Sequence, residues 1–171
     1  MIIFLLYILY VQKIKSILLY SSISRGNTSK IAKMIAREMK SDLMRTAEVS
    51  LPSLRKYNLI GFGSGIYGGV FHKNLIETIE SMPEDFKGKH AFIFCTSIFC
   101  RDSYVEKFKE LLQKKGFIVL GSYQSKGAYT NKIFKLFGGI NKGRPNSYDF
   151  MDAADFAKEI MERYNEKNSD S

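Results

Sequence analysis

Tryptophan is absent from the 171-residue sequence, and histidine, cysteine and proline are scarce, at two, two and three residues. Two cysteines, Cys95 and Cys100, give no disulfide framework, so a reducing, cytoplasmic setting is expected. They lack the second pair that a zinc site requires. Cys95 reads as a small apolar strand residue, and His72 and His90 are too scattered to suggest a metal site. No apolar run approaches the ~20 residues of a membrane-spanning helix. Acidic residues are missing from one long stretch, Leu111 to Tyr148, which holds Lys114, Lys115, Lys126, Lys132, Lys135, Lys142 and Arg144.

That stretch carries much of an unusual charge balance. Lys plus Arg number 26 and Asp plus Glu 17, a formal net charge of +9. A basic face attracts acidic proteins, anionic cofactors, nucleic acid or membrane surfaces. Here an acidic protein partner is the expected correspondent and nucleic acid is not. A membrane surface competes, because Ile133, Phe134, Leu136 and Phe137 interleave with the lysines. The plainest alternative is a solvated face that keeps the protein in solution.

What is present is organised around residues 17–32. Ile17 to Tyr20 is a continuous apolar run, as in a central parallel strand covered on both faces. A loop of hydroxyls, amide and glycine follows: Ser22, Ser24, Arg25, Gly26, Asn27 and Thr28. From Asn27 the spacing of Ile31, Ala32, Met34, Ile35 and Met39 predicts a helix. Strand, polar loop and helix N-terminus together make an anion site, because free N–H groups and the helix dipole favour a phosphate. An ordinary N-cap gives the same local sequence without a ligand. The loop is neither a Walker loop nor Gly-x-Gly-x-x-Gly.

Met1 to Val11 is almost wholly apolar, yet too short to span a bilayer. No charged segment precedes it and no small-residue cleavage site follows, which argues against a secretory signal. A mis-called translation start, an interfacial segment or a segment packed on the domain or a partner all remain open for residues 1–14. One domain is expected over 15–165, with a polar tail at 166–171. Further strands are expected at Leu43–Val49, Asn58–Ser64, Ala91–Cys95 and Phe117–Leu120. Helices alternate with them, beginning near His72, Asp102 and Asp149. Five strands alternating with helices predict an α/β fold, a three-layer doubly wound parallel sheet.

In such a sheet ligands bind at the carboxyl ends of the strands, beside the topological switch point. Three loops converge there. The first has hydroxyls and glycine; the second is Gly65–Phe71 with Ile66, Tyr67, Gly68 and Gly69; the third carries Thr96, Ser97, Ile98 and Phe99. A phosphate loop flanked by two loops with apolar or aromatic tips suits a flat ring with a phosphate tail, such as FMN.

With Ser-Ile-Ser-Arg-Gly-Asn-Thr at 22–28, Gly-Ser-Gly-Ile-Tyr at 63–67 and Thr-Ser at 96–97, the chain from Lys15 to Tyr164 resembles the flavodoxin family. Residues 134–146 resemble a variant common in a branch of that family from anaerobic microbes. The resemblance implies a flavodoxin-like five-stranded sheet of order 2-1-3-4-5 and a non-covalent FMN passing electrons between redox proteins. Without tryptophan, the ring would lie on Tyr67, Ile66 or Phe99. The resemblance also implies that the Gly68–Gly69 peptide can turn toward the flavin; a tight turn without a redox role is the alternative. An FMN-dependent oxidoreductase of a small molecule, such as a quinone or a porphyrinogen, is the competing function. His72 is then a candidate base, or simply a residue at a helix start. A flavin-free interaction module is a third. No dedicated NAD(P)H site or catalytic dyad is visible, which favours the carrier.

Overall fold

A computed structural model describes residues 14–130 and 139–169. Most of the apolar N-terminal stretch, together with Lys132, Lys135, Ile133, Phe134, Leu136 and Phe137, lies outside them.

The strands are β1 (Ser16–Ser21), β2 (Asp42–Arg45), β3 (Leu59–Tyr67), β4 (Val70–Phe71), β5 (His90–Ser97) and β6 (Ile118–Lys126). The α-helices are α1 (Asn27–Met39), α2 (Lys73–Glu80), α3 (Asp102–Lys114) and α4 (Ser147–Ser169). The sheet order is β2-β1-β3-β5-β6, with β4 paired antiparallel to the end of β3. Apart from β4, this is the expected five-stranded parallel order. The pairings of β1 with β2 and β3, of β3 with β5, and of β5 with β6 are all parallel.

The continuous apolar runs follow from burial on both faces. Ile17 and Leu19 of β1, Ile60 and Phe62 of β3, and Ile93 and Cys95 of β5 face one layer, against Leu75 and Ile79 of α2 and Val105, Phe108 and Leu112 of α3. Leu18, Tyr20, Leu59, Phe92 and Phe94 face the other, against Ile31 and Ile35 of α1 and Ala157 and Ile160 of α4. Alternate residues of one strand thus enter two separate cores, which is why these runs are apolar at consecutive positions.

The sixth strand corrects the expected count of five. Residues 65–67 continue β3 instead of opening a loop, and Ile66 and Tyr67 pair with Phe71 and Val70. Gly68 and Gly69, with φ of 58° and 85°, make the two-residue turn between them. Two consecutive left-handed residues close a turn whose twist matches that of the strands, and glycine adopts that conformation without strain at both positions. The second strand is shorter than expected; after Arg45 the chain makes a 3-10 turn at Thr46–Glu48. The last helix opens two residues early, at Ser147, and runs through residues 166–169 to Ser169. No helix among the described residues is long and apolar enough to cross a membrane.

Candidate functional site

The carboxyl ends of β1, β3 and β5 meet at a cleft of about 270 Å³, near the low end of the ~300–1,000 Å³ of small-molecule sites. Its first wall is the loop between β1 and α1. Arg25 and Gly26 are both left-handed, φ 43° and 69°, and bring the chain round to the first turn of α1. Gly26 is the N-cap and supplies no side-chain hydrogen bond, and no acidic residue stands in the first turn. The amides of that turn therefore keep their pull on an anion. The Ser22 hydroxyl oxygen is buried and has no hydrogen-bond partner among the described residues. Leaving a buried hydroxyl unpaired costs about 1–3 kcal/mol, a cost that a ligand oxygen would relieve.

Asn27 and Thr28 each make a side-chain hydrogen bond to another wall of the cleft. Asn27 Nδ2 donates to the Ala128 carbonyl at 2.8 Å, so this amide joins the loop after β6 to the helix. The Thr28 hydroxyl is paired with that of Thr96 at 2.7 Å, buried between the first and third loops. One of the two donates to the other, and the second keeps its proton for a further acceptor.

The second wall is the β3–β4 hairpin. Ile66 is half-buried and Tyr67 is 38% exposed. The Tyr67 ring folds back over Gly65, where an added Cβ would stand 2.9 Å from the phenol oxygen. It also meets the His72 ring edge-on at 5.5 Å between centroids. His72 is the N-cap of α2, its Nδ1 accepting from the Asn74 amide at 3.3 Å. That role is the helix-start reading of the sequence.

The third wall is the end of β5. Thr96 and Ser97 are buried, and Ser97 Oγ donates to the Phe99 carbonyl at 2.7 Å. Ile98 lines the cleft. Phe99 instead stands 59% exposed, with the Arg101 guanidinium 5.8 Å from its ring centroid. Just below, burial first and Cys100 second push the Cys95 thiol well up, which keeps it protonated and inert.

Ser24, Asn27, Thr28, Ile66, Tyr67, Gly68, Thr96, Ser97 and Ile98 therefore share one cleft. Ser22, Arg25, Gly26, Gly69 and Phe99 stand outside its lining. Gly127, Ala128 and Tyr129 complete it and were not anticipated. Small residues directly after an apolar strand were the available signal: a Cβ on Gly127 would come within 2.7 Å of Asn27 Nδ2. Asn141 holds this fourth wall in place, donating to the Ile98 carbonyl at 3.0 Å and the Gly127 carbonyl at 3.3 Å.

A cleft at the carboxyl ends of the strands, between the N-terminus of α1 and the β3–β4 hairpin, places the protein in the doubly wound α/β class, whose ligands bind at the topological switch point. A family profile described as "Flavodoxin domain" matches residues 17–166, and the chain belongs to the flavodoxin family. It is 42% identical over 149 residues to the uncharacterized protein MJ0298 of Methanocaldococcus jannaschii, covering 86% of this chain and 98% of that one. The fold is similar to that of oxidised Flavodoxin 2 from Bacillus cereus, with TM-score 0.65 and 21% identity, over 87% of this chain and 99% of the other. It is also similar to rubredoxin:oxygen oxidoreductase from Desulfovibrio gigas, with TM-score 0.67 and 16% identity. That match covers 90% of this chain but 36% of the larger protein. Membership of the family implies a flavin cofactor.

Proposed function

We propose that this protein is an electron carrier that binds FMN non-covalently in the cleft and exchanges electrons with redox protein partners. FMN supplies the one- and two-electron chemistry; the protein supplies binding, orientation and electrostatics. The Ser22 and Ser24 hydroxyls and the first-turn amides of α1 would hold the phosphate. Ile66, Tyr67 and Ile98 offer the apolar surface for the ring, and the Gly127–Ala128 wall would close the cleft on the side facing α1. The reading rests most on the N-terminus of α1, which has no side-chain cap and where Ser24, Asn27 and Thr28 line the cleft. His72 Nδ1 accepts from the Asn74 amide, which favours a helix-cap role over that of a general base for a small-molecule oxidoreductase. The net charge of +9 favours acidic redox partners.

Calorimetric titration of flavin-free protein tests the phosphate assignment. FMN is expected to bind at least about tenfold tighter than riboflavin, a difference of ~1.4 kcal/mol. Ser22→Ala should narrow that gap while leaving riboflavin affinity unchanged. Equal affinities for the two flavins in the unsubstituted protein would overturn the assignment.

A further inference from the structure

Away from the cleft, α1 carries Lys30, Lys33 and Arg37 at positions i, i+3 and i+7, one stripe of the helix. All three are exposed, and none makes an ion pair among the described residues. Arg37 Nη2 reaches only the Met34 sulfur, at 3.4 Å. Met34 and Phe150, the latter from the first turn of α4, are half-buried against the core. With the three cations they enclose a groove of about 290 Å³ between the two helices. Two acids of α4, Asp149 and Asp155, are paired with other cations. Asp149 is buried and paired with Arg144. Asp155 pairs with Lys158 at 3.0 Å, and the charge of Glu38 acts on that same lysine.

The groove therefore combines three uncompensated positive charges with a recessed apolar floor. Complementary charge raises the rate of encounter, and methionine adapts its shape to what lands on it. A flat lipid surface would reach the exposed cations but not the floor between them; a chain with one projecting apolar side chain reaches both. The groove and the cleft share helix α1, whose Asn27 and Thr28 line the cleft on another face. Lys30 follows Thr28 by two residues, ~3 Å along the axis.

We propose that the Lys30–Lys33–Arg37 groove docks an acidic segment bearing an apolar side chain, presented by a redox partner protein. The partner's redox role rests on the carrier reading above; the docking chemistry does not. The test uses the full chain, isotope-labelled, and a synthetic octapeptide of Asp and Glu with one central Leu. Chemical-shift changes should concentrate in α1 and the first turn of α4. Affinity should fall by at least about tenfold in the Lys33→Glu, Arg37→Glu double variant and fall steeply with salt, as expected for screened surface charges. Exchanging the central Leu for Ser should weaken binding to the unsubstituted protein as well. FMN affinity, measured in parallel, should be the same in both proteins. Absence of saturable peptide binding, or binding indifferent to the double charge reversal, overturns the proposal. So does binding to phosphatidylglycerol vesicles without binding to the peptide, which would make the groove a lipid contact. Peptide binding in a protein that does not take FMN would overturn the carrier reading and leave the groove standing.

Discussion

Asn141 shows how a single residue can shape a cleft it does not line. Its φ of 53° is left-handed, a conformation asparagine tolerates better than most side chains. That turn aims Nδ2 at the carbonyls of Ile98 and Gly127 and straps the third wall to the fourth. Asn141→Gly keeps the backbone free of strain and removes both hydrogen bonds. It should weaken FMN binding by at least about fivefold, from two hydrogen bonds at ~0.5–1.5 kcal/mol each. Asn141→Ala adds backbone strain and should lower stability further without a matching further loss of FMN affinity. Fluorescence titration and thermal melts of both variants check this; unchanged FMN affinity in Asn141→Gly would confine the strap to folding. None of this was legible in the sequence, because Asn141 lies more than 40 residues from Ile98 and no local pattern marks it. His72 was legible, as a residue before a helical run.

At the scale of elements, the apolar runs of β1, β3 and β5 announced the parallel sheet, but not where each strand stops. Residues 65–67, 96–97 and 122–126 are small, polar or glycine-rich, yet the ladders continue through them: Gly65 pairs with Thr96, and Ser122 to Lys126 pair with 93–97. Backbone hydrogen bonds and the neighbouring strand carry these ends, so side-chain patterning does not record them. The glycines of β3 have a separate reason. Gly61 stands between Leu18 and Phe92, and Gly63 between Tyr20 and Phe94. A Cβ at Gly63 would fall 2.1 Å from the Phe94 ring, and one at Gly61 would fall 2.3 Å from that of Phe92. The bare strand lets each ring lie across its neighbour. Gly63→Ala should therefore destabilise by ~1–3 kcal/mol or more, the cost of overpacking. Combining it with Phe94→Leu should cost less than the sum of the two single changes, because they share one contact. Strictly additive denaturation energies would show that the ring is not what requires glycine.

For the whole molecule, the surplus of positive charge says little about stability; buried titratable groups set its pH limits, Tyr57 and His90 among them. Burial, followed by the hydrogen bond to Asp42 and that carboxylate's charge, raises Tyr57 from 10.0 to about 12. The folded state holds this proton more tightly than the unfolded chain, so the stabilisation is complete below pH 10 and disappears as pH climbs to about 12. His90 has the opposite sense. Burial first and the charge of Lys167 second lower it from 6.5, while its ring packs edge-on against Tyr164 at 5.0 Å. The folded state prefers neutral His90, so this contribution is complete above pH 6.5 and is lost as pH falls through the lowered value. Stability should then be flat between about pH 7 and 8, fall on the alkaline side through Cys95 from about its ordinary value of 9.0 and through Tyr57 above 10.0, and begin to fall on the acid side through His90. Urea denaturation across pH 5 to 11 measures both limbs. Tyr57→Phe should make the alkaline limb shallower without abolishing it, because burial also raises Tyr123, which stays in place. His90→Gln should flatten the first part of the acid limb, near pH 6, and leave the steeper carboxylate-driven loss at lower pH. An acid limb with the same slope near pH 6 in His90→Gln would assign that loss to another group.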